Sequence, residues 1–123
     1  MAIRETAGRL YDESIVIDGL NVSNWDSPAV IDSLGSSGIT AINATLVTWE
    51  NYQQTLDHIA KWLHRLEEHR GVLKHVETVG DILQAKKTGV TGVIFGWQNA
   101  SPIENDLGRL ELFHNLGVRI IQI

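Results

Sequence analysis

Short runs of consecutive apolar residues alternate along this chain with longer stretches in which apolar residues recur every three or four positions. Runs of the first kind suit strands buried on both faces, and those of the second suit helices with one buried stripe. The pattern predicts an opening helix over residues 3–12, then a strand from Ser14 to Asp18 around Ile15-Val16-Ile17. Ser27 and Pro28 stand as N-cap and first residue of the next helix, which turns Val30, Ile31 and Leu34 inward and ends at glycines 35 and 38. A second strand is predicted over Ile39–Leu46. The longest helix then runs from about Glu50 to His69, with Tyr52, Leu56, Ile59, Leu63 and Leu66 on its buried stripe. Residues 72–76 read as a short extended piece. Thr78-Val79-Gly80-Asp81 reads as a helix-capping signal in which Asp replaces the preferred Glu or Gln.

Val90–Phe95 is the third principal strand. Ser101-Pro102-Ile103-Glu104 combines a cap, a proline and an acidic third residue, the strongest helix start in the sequence. From it, Ile103, Leu107, Leu110, Phe113 and Leu116 should line the core, with Gly117 as the stop and Val118–Ile123 as a fourth strand. Strands alternating with helices make an α/β protein with parallel strands. Four such strands are about half of a (β/α)8 TIM-type barrel. A half barrel leaves a large apolar interior for other strands to cover. Residues 1–123 therefore read as the N-terminal half of a barrel, completed by the rest of a longer protein or by a second chain.

Composition narrows the partners. A net charge of −5 argues against general nucleic-acid binding, which needs a cationic surface to displace counterions. No apolar run reaches the roughly 20 residues of a membrane span. The N-terminal Met1-Ala2-Ile3-Arg4-Glu5-Thr6 lacks the apolar core of a signal peptide, so a cytoplasmic protein without a membrane partner is expected. The absence of cysteine removes disulfides, thiolate metal ligands and thiol nucleophiles.

Two segments carry more than pattern. One is Val16-Ile17-Asp18-Gly19-Leu20-Asn21-Val22-Ser23-Asn24-Trp25. The other is Val93–Leu107, with Gly96-Trp97-Gln98-Asn99 at its centre, continuing through Leu112-Phe113-His114-Asn115-Leu116-Gly117-Val118-Arg119. In order and spacing they resemble the N-terminal half of the membrane (renal) dipeptidase family. The resemblance implies a (β/α)8 barrel with two zinc ions at the C-terminal ends of its strands, hydrolysing dipeptides, in some members with a D-residue. In that family the first strand ends Asp-x-His-x-Asp and the third supplies a Glu bridging the metals. Aligned here, the His position falls on Leu20, the first-strand Asp ligand on Val22 and the bridging Glu on Gln98. The resemblance thus implies zinc, while the chain carries none of the matching ligands and no metal site of its own is expected. Replacement of all three together marks a divergent branch.

Two functions follow as expectations. One is a dipeptidase-like hydrolase of small peptide or amide bonds with a remodelled metal site. The other is a non-catalytic barrel that binds a small ligand or partner. Substrate-binding candidates at the strand ends are Asp18, Asn21, Gln98 and Asn99, with no catalytic residue assigned. Asn43, Thr45 and Gln122 are further rim positions, and Gly92 and Gly96 permit close backbone approach. Each has a structural alternative: Asp18 as a turn carboxylate, the amides as backbone partners. Trp25 and Trp97 are placed to wall a pocket, Trp49 and Trp62 to pack. His58, His64 and His69 fall at spacings of six and five, which miss the i,i+4 pair of a helical zinc site, so surface positions are expected. His75 and His114 have no partner motif.

Overall fold

A computed structural model describes residues 2–123; Met1, part of the N-terminal stretch read above, lies outside them. The order of elements is α1 (Ala2–Glu13), β1 (Ile17–Asn21), α2 (Pro28–Ser37), β2 (Ala41–Val47), α3 (Tyr52–Glu68), β3 (Leu73–Val76), α4 (Val79–Thr88), β4 (Thr91–Trp97), a single 3-10 turn (Ser101–Ile103), α5 (Arg109–Asn115) and β5 (Val118–Ile121). All strand pairs are parallel. β1 pairs β2, and β2 pairs one edge of β4. The other edge of β4 is shared: Thr91–Ile94 match β3, and Phe95–Trp97 match β5.

Alternation along β2 and β4 sorts their side chains onto two faces. Ile42, Ala44 and Leu46, with Val93, Phe95 and Trp97, join Ile31 and Leu34 of α2, Ile59, Trp62 and Leu66 of α3, and Phe113 of α5. Trp97, Phe95 and Phe113 are fully buried. Phe113 meets Trp97 edge-on at 4.7 Å between ring centroids. Removing a buried aromatic from such a core costs about 3–5 kcal/mol. The opposite face carries Ala41, Ile94 and Val76, against which Ile82 of α4 and Ile120 of β5 pack. α4 therefore lies on the face opposite α2 and α3. The strand order requires this: β2 to β3 moves outward past β4 and β3 to β4 moves back, so right-handed crossovers put the two helices on opposite sides.

Several expectations are corrected. The piece at 72–76 is a true strand, so the sheet has five strands. The first strand is Ile17–Asn21, three residues later than the predicted Ser14–Asp18, and it is not buried on both faces: Ile17 and Leu20 are each 45% exposed. The cause lies across the sheet: the Val16 N–H donates to the Thr40 hydroxyl at 3.0 Å, and β1 pairs on one edge only. Gly35 lies inside α2, which ends at Gly38 with φ 73° in the left-handed conformation glycine favours. On α3 the buried positions are Thr55, Ile59, Trp62 and Leu66, so Trp62 fills the place expected of the exposed Leu63.

The largest miss is the helix start at Ser101. Only one 3-10 turn forms, and α5 begins at Arg109. The capping residues are engaged elsewhere. The Ser101 hydroxyl donates to the Glu50 carbonyl at 2.7 Å, and the Glu104 carboxylate accepts from Arg109 at 2.6 Å and from the Tyr52 N–H at 3.3 Å. Glu104 takes φ 51°, and Leu107 and Leu110 are exposed. Thr78 and Asp81, by contrast, form the reciprocal capping box, Asp serving in place of Glu.

Candidate functional site at the C-terminal rim

The parallel strands bring Asn21, Thr45 and Gln98 to one end of the sheet. Asn21 pairs in register with Ala44, Thr45 with Gly96, and the Gln98 N–H continues the ladder to the Val47 carbonyl at 2.8 Å. The C-terminal ends of parallel strands are where such folds place their ligands.

Asp18 lies inside β1, not at its end. One carboxylate oxygen accepts from the Leu20 N–H at 3.1 Å and the other from Asn21 Nδ2 at 2.8 Å. Asn21 in turn accepts from the Ser23 hydroxyl at 2.7 Å. This chain of short bonds spans a register shift in β1 between Asp18 and Asn21, so the carboxylate holds the bulge that carries Leu20 and Asn21 to the rim.

Gln98 and Asn99 follow β4. Gln98 is partly buried, with Nε2 3.5 Å from the Thr45 hydroxyl. Asn99 faces the loop: its Nδ2 donates to the Thr48 carbonyl and its Oδ1 accepts from the Ser101 N–H at 2.8 Å. It ties the β4 exit to the turn after β2. That turn is fixed further by Glu50, which accepts from the N–H groups of Thr48 at 2.5 Å and Trp49 at 2.9 Å. Burial pushes the Glu50 carboxyl up, but these backbone bonds and nearby His58 outweigh it and hold it below the ordinary value. Gln122 is exposed beyond β5, its N–H bonding the Trp97 carbonyl.

The tryptophans exchange two of their expected roles. Trp97 is 1% exposed within the helix-side core, because odd positions of β4 face that side, and Trp49 is 84% exposed on the turn after β2. Trp25 does wall a cavity of about 220 Å3, together with Ser23, Thr45, His58, Trp62 and Arg65. Its ring meets Trp62 edge-on at 4.9 Å, and Arg65 bridges from Asp26 at 2.8 Å to the Trp62 face at 4.8 Å. His58 donates from Nδ1 to the Leu46 carbonyl at 2.7 Å. The sequence marked Trp62 only as a packing residue and did not single out Arg65, and no local signal ties them to Trp25 and Asp26.

A hydrolytic zinc site takes three protein donors of imidazole, carboxylate or thiolate type. Leu20 and Val22 offer hydrocarbon, Gln98 a neutral amide, and both Asp18 oxygens are engaged in the bulge. Among the described residues no three His, Asp or Glu side chains are grouped to hold a metal ion. These side chains do not fit zinc.

The alternating strands and helices, the parallel sheet and the polar C-terminal rim match the first half of a TIM-type barrel. Residues 31–123 match the family described as membrane dipeptidase (Peptidase family M19), and the chain belongs to that family. Among solved structures it is similar to an amidohydrolase from Pseudomonas aeruginosa, at 32% identity and TM-score 0.86, covering 94% of this chain and 35% of that one. It shares the fold of the probable dipeptidase PvdM from Pseudomonas aeruginosa, at 12% identity and TM-score 0.83, over 99% of this chain and 38% of that one. It also shares the fold of a metallo peptidase from Rhodobacter sphaeroides liganded with a phosphinate mimic of the dipeptide L-Ala-D-Ala, at 17% identity and TM-score 0.70, over 86% and 44%. No curated protein matches. The chain therefore spans between about a third and less than half of the length of these structures.

Proposed function

We propose that the complete protein is a dipeptidase-like hydrolase of small peptide or amide bonds whose metal site has been remodelled. The observation that carries this is the contrast at the rim. The family match covers residues 31–123, while the resemblance puts Leu20, Val22 and Gln98 at three ligand positions of the rim. A bulge maintained by Asp18, Asn21 and Ser23 supports a rim still used for binding. On this reading Asn21 and Gln98 present amide groups to a peptide-sized substrate, with Asp18 and Asn99 holding the two loops that carry them. A neutral carboxamide at position 98 can hydrogen-bond a substrate carbonyl or N–H. It is a poor bridge between two cations. Any metal in the complete protein is then held by residues of the remaining strands.

The same replacements favour a second reading, a barrel that binds a small ligand or partner without hydrolysing it. Metal analysis of the full-length protein combined with hydrolysis of Ala-Ala dipeptides of both configurations separates the two. Hydrolysis that depends on a bound metal supports the first. A protein that purifies without stoichiometric metal and gains no activity with added zinc overturns it. On the split-barrel reading the other barrel strands come from a second chain, and the native mass of the particle tests this. Among the described residues no helix is long and apolar enough to cross a membrane.

A further inference from the structure

Asn43 sits in the middle of β2 on the face that carries Ala41 and Thr45, and it is only 6% exposed. Its Nδ2 donates to the Gly19 carbonyl at 2.9 Å, inside the β1 bulge. Its Oδ1 is buried without a hydrogen-bond partner. On the other side lies Gly96 of β4, so close that a Cβ there would stand 1.8 Å from Asn43 Oδ1 and 2.7 Å from Cγ. A buried carbonyl oxygen left unpaired is destabilising, and a glycine inside a strand weakens it further. Two locally unfavourable choices that fit each other across two strands mark a constraint beyond packing. A leucine or valine at position 43 would fill the sheet, but it could not hold the Gly19 carbonyl.

We propose that Asn43 and Gly96 form a positioning pair for the rim. The glycine makes the room, the asparagine reaches β1 through it, and the bond to Gly19 sets where the bulge presents Leu20 and Asn21. One pleat nearer the rim on the same face stand Thr45 and Gln98, joined at 3.5 Å. The pair thus references the β1 side of the rim to the strands that carry its β2 and β4 sides. This deepens, and rests on, the reading of the rim as a substrate-binding surface.

The test is a cycle in the full-length protein: N43A, G96A and N43A/G96A. G96A alone drives a methyl into Asn43 and lowers the urea midpoint. N43A makes space for that methyl, so the double variant regains most of the stability G96A loses. What it does not regain is the bond to Gly19. Hydrogen exchange of amides 19–22 is then about tenfold faster than in wild type in both variants lacking Asn43, the equivalent of one hydrogen bond. With a hydrolysed Ala-Ala dipeptide, KM rises by about tenfold while kcat changes less. N43S, which keeps a short donor, recovers part of the protection. A double variant that restores stability, exchange protection and KM together shows that Asn43 is only a packing residue, and overturns the proposal. If wild type neither binds nor cleaves dipeptides, the hydrolase reading fails, and exchange at 19–22 alone decides the role of Asn43.

Discussion

His75 lies against Phe95 with ring centroids 4.3 Å apart and planes inclined by 34°. Its Nε2 is buried without a partner, and the absent side chain of Gly117 makes room for the ring, since a Cβ there would meet Cε1 at 2.4 Å. The imidazole fills the place where the edge of β4 passes from β3 to β5. Around it stand Glu77, with Oε1 3.6 Å from Nδ1, and Arg119, Lys74 and Asp81.

Burial lowers the His75 pKa below the ordinary 6.5; Glu77 and Asp81 pull it up, and Arg119 and Lys74 reinforce the lowering. The unfolded chain therefore takes up the proton at higher pH than the folded one. The contribution is full above about 6.5 and is lost as pH falls through the folded-state value. Urea midpoints of wild type should drop between pH 7.5 and pH 5.5, and H75L should flatten that drop. Equal losses in both proteins would place the sensitivity elsewhere.

The capping carboxylate of α4 responds to acid. The Thr78 hydroxyl bond dominates; burial opposes it, the N–H groups of Glu77 and Thr78 and the bond from Lys74 add to it, and Asp81 is lowered to about 2 from 3.8. A lowered carboxylate contributes stability above about 3.8, which is lost as pH falls through about 2. D81N should be less stable than wild type at pH 7, and the difference should vanish near pH 2 in acid-unfolding curves. T78A should cost about 1 kcal/mol at pH 7, the usual worth of a side-chain cap.

Glu104 anchors the segment that replaces the expected helix. It bonds Arg109, whose guanidinium lies 4.1 Å above the Tyr52 ring, and it takes a positive φ that glycine would adopt more easily. E104Q should release residues 104–108, seen as faster limited proteolysis there, with little change in the urea midpoint. E104G should relieve the backbone strain yet show the same cleavage. Protection of the loop in both variants would show that Glu104 does not hold it.

Installing the family's ligands tests the rim geometry directly. L20H/V22D/Q98E in the full-length protein places an imidazole and two carboxylates where β1 and β4 end. Zinc affinity, measured by competition with a chromogenic chelator, should rise by at least about tenfold over wild type, as expected for adding first-strand donors. An unchanged affinity would mean that the bulge aims these positions away from a common point.

Strand content was legible because buried parallel strands are written as continuous apolar runs, as in Val93-Ile94-Phe95. Helix α3 was legible from its periodicity. What failed did so through contacts distant in sequence. Ser101 and Glu104 have the local chemistry of a helix start, but Glu50, Tyr52 and Arg109 take their side chains. The first strand slid because Thr40, more than twenty residues on, captures the Val16 N–H. Motif positions led to Asn21 and Gln98 near the strand ends, whereas Asp18 lies inside β1. The closeness of Asn43 to Gly96 was not legible, since each was noted singly, as a rim position and as a point of close backbone approach, with no local signal joining them. The burial of Trp97 follows from strand parity, which a reading by proximity to the motif overlooked.

The shared edge of β4 has a structural consequence. Its lower half is braced by β3 and its upper half by β5, so the segment that secures the base of the sheet is not the segment that builds its mouth. Substitutions at the mouth therefore fall outside the pairings that close the base. Leu20 and Val22, on the β1 side of the mouth, likewise stand clear of the β3–β4 pairings that close the base. This division of labour separates the residues that keep the sheet closed from those that shape its opening.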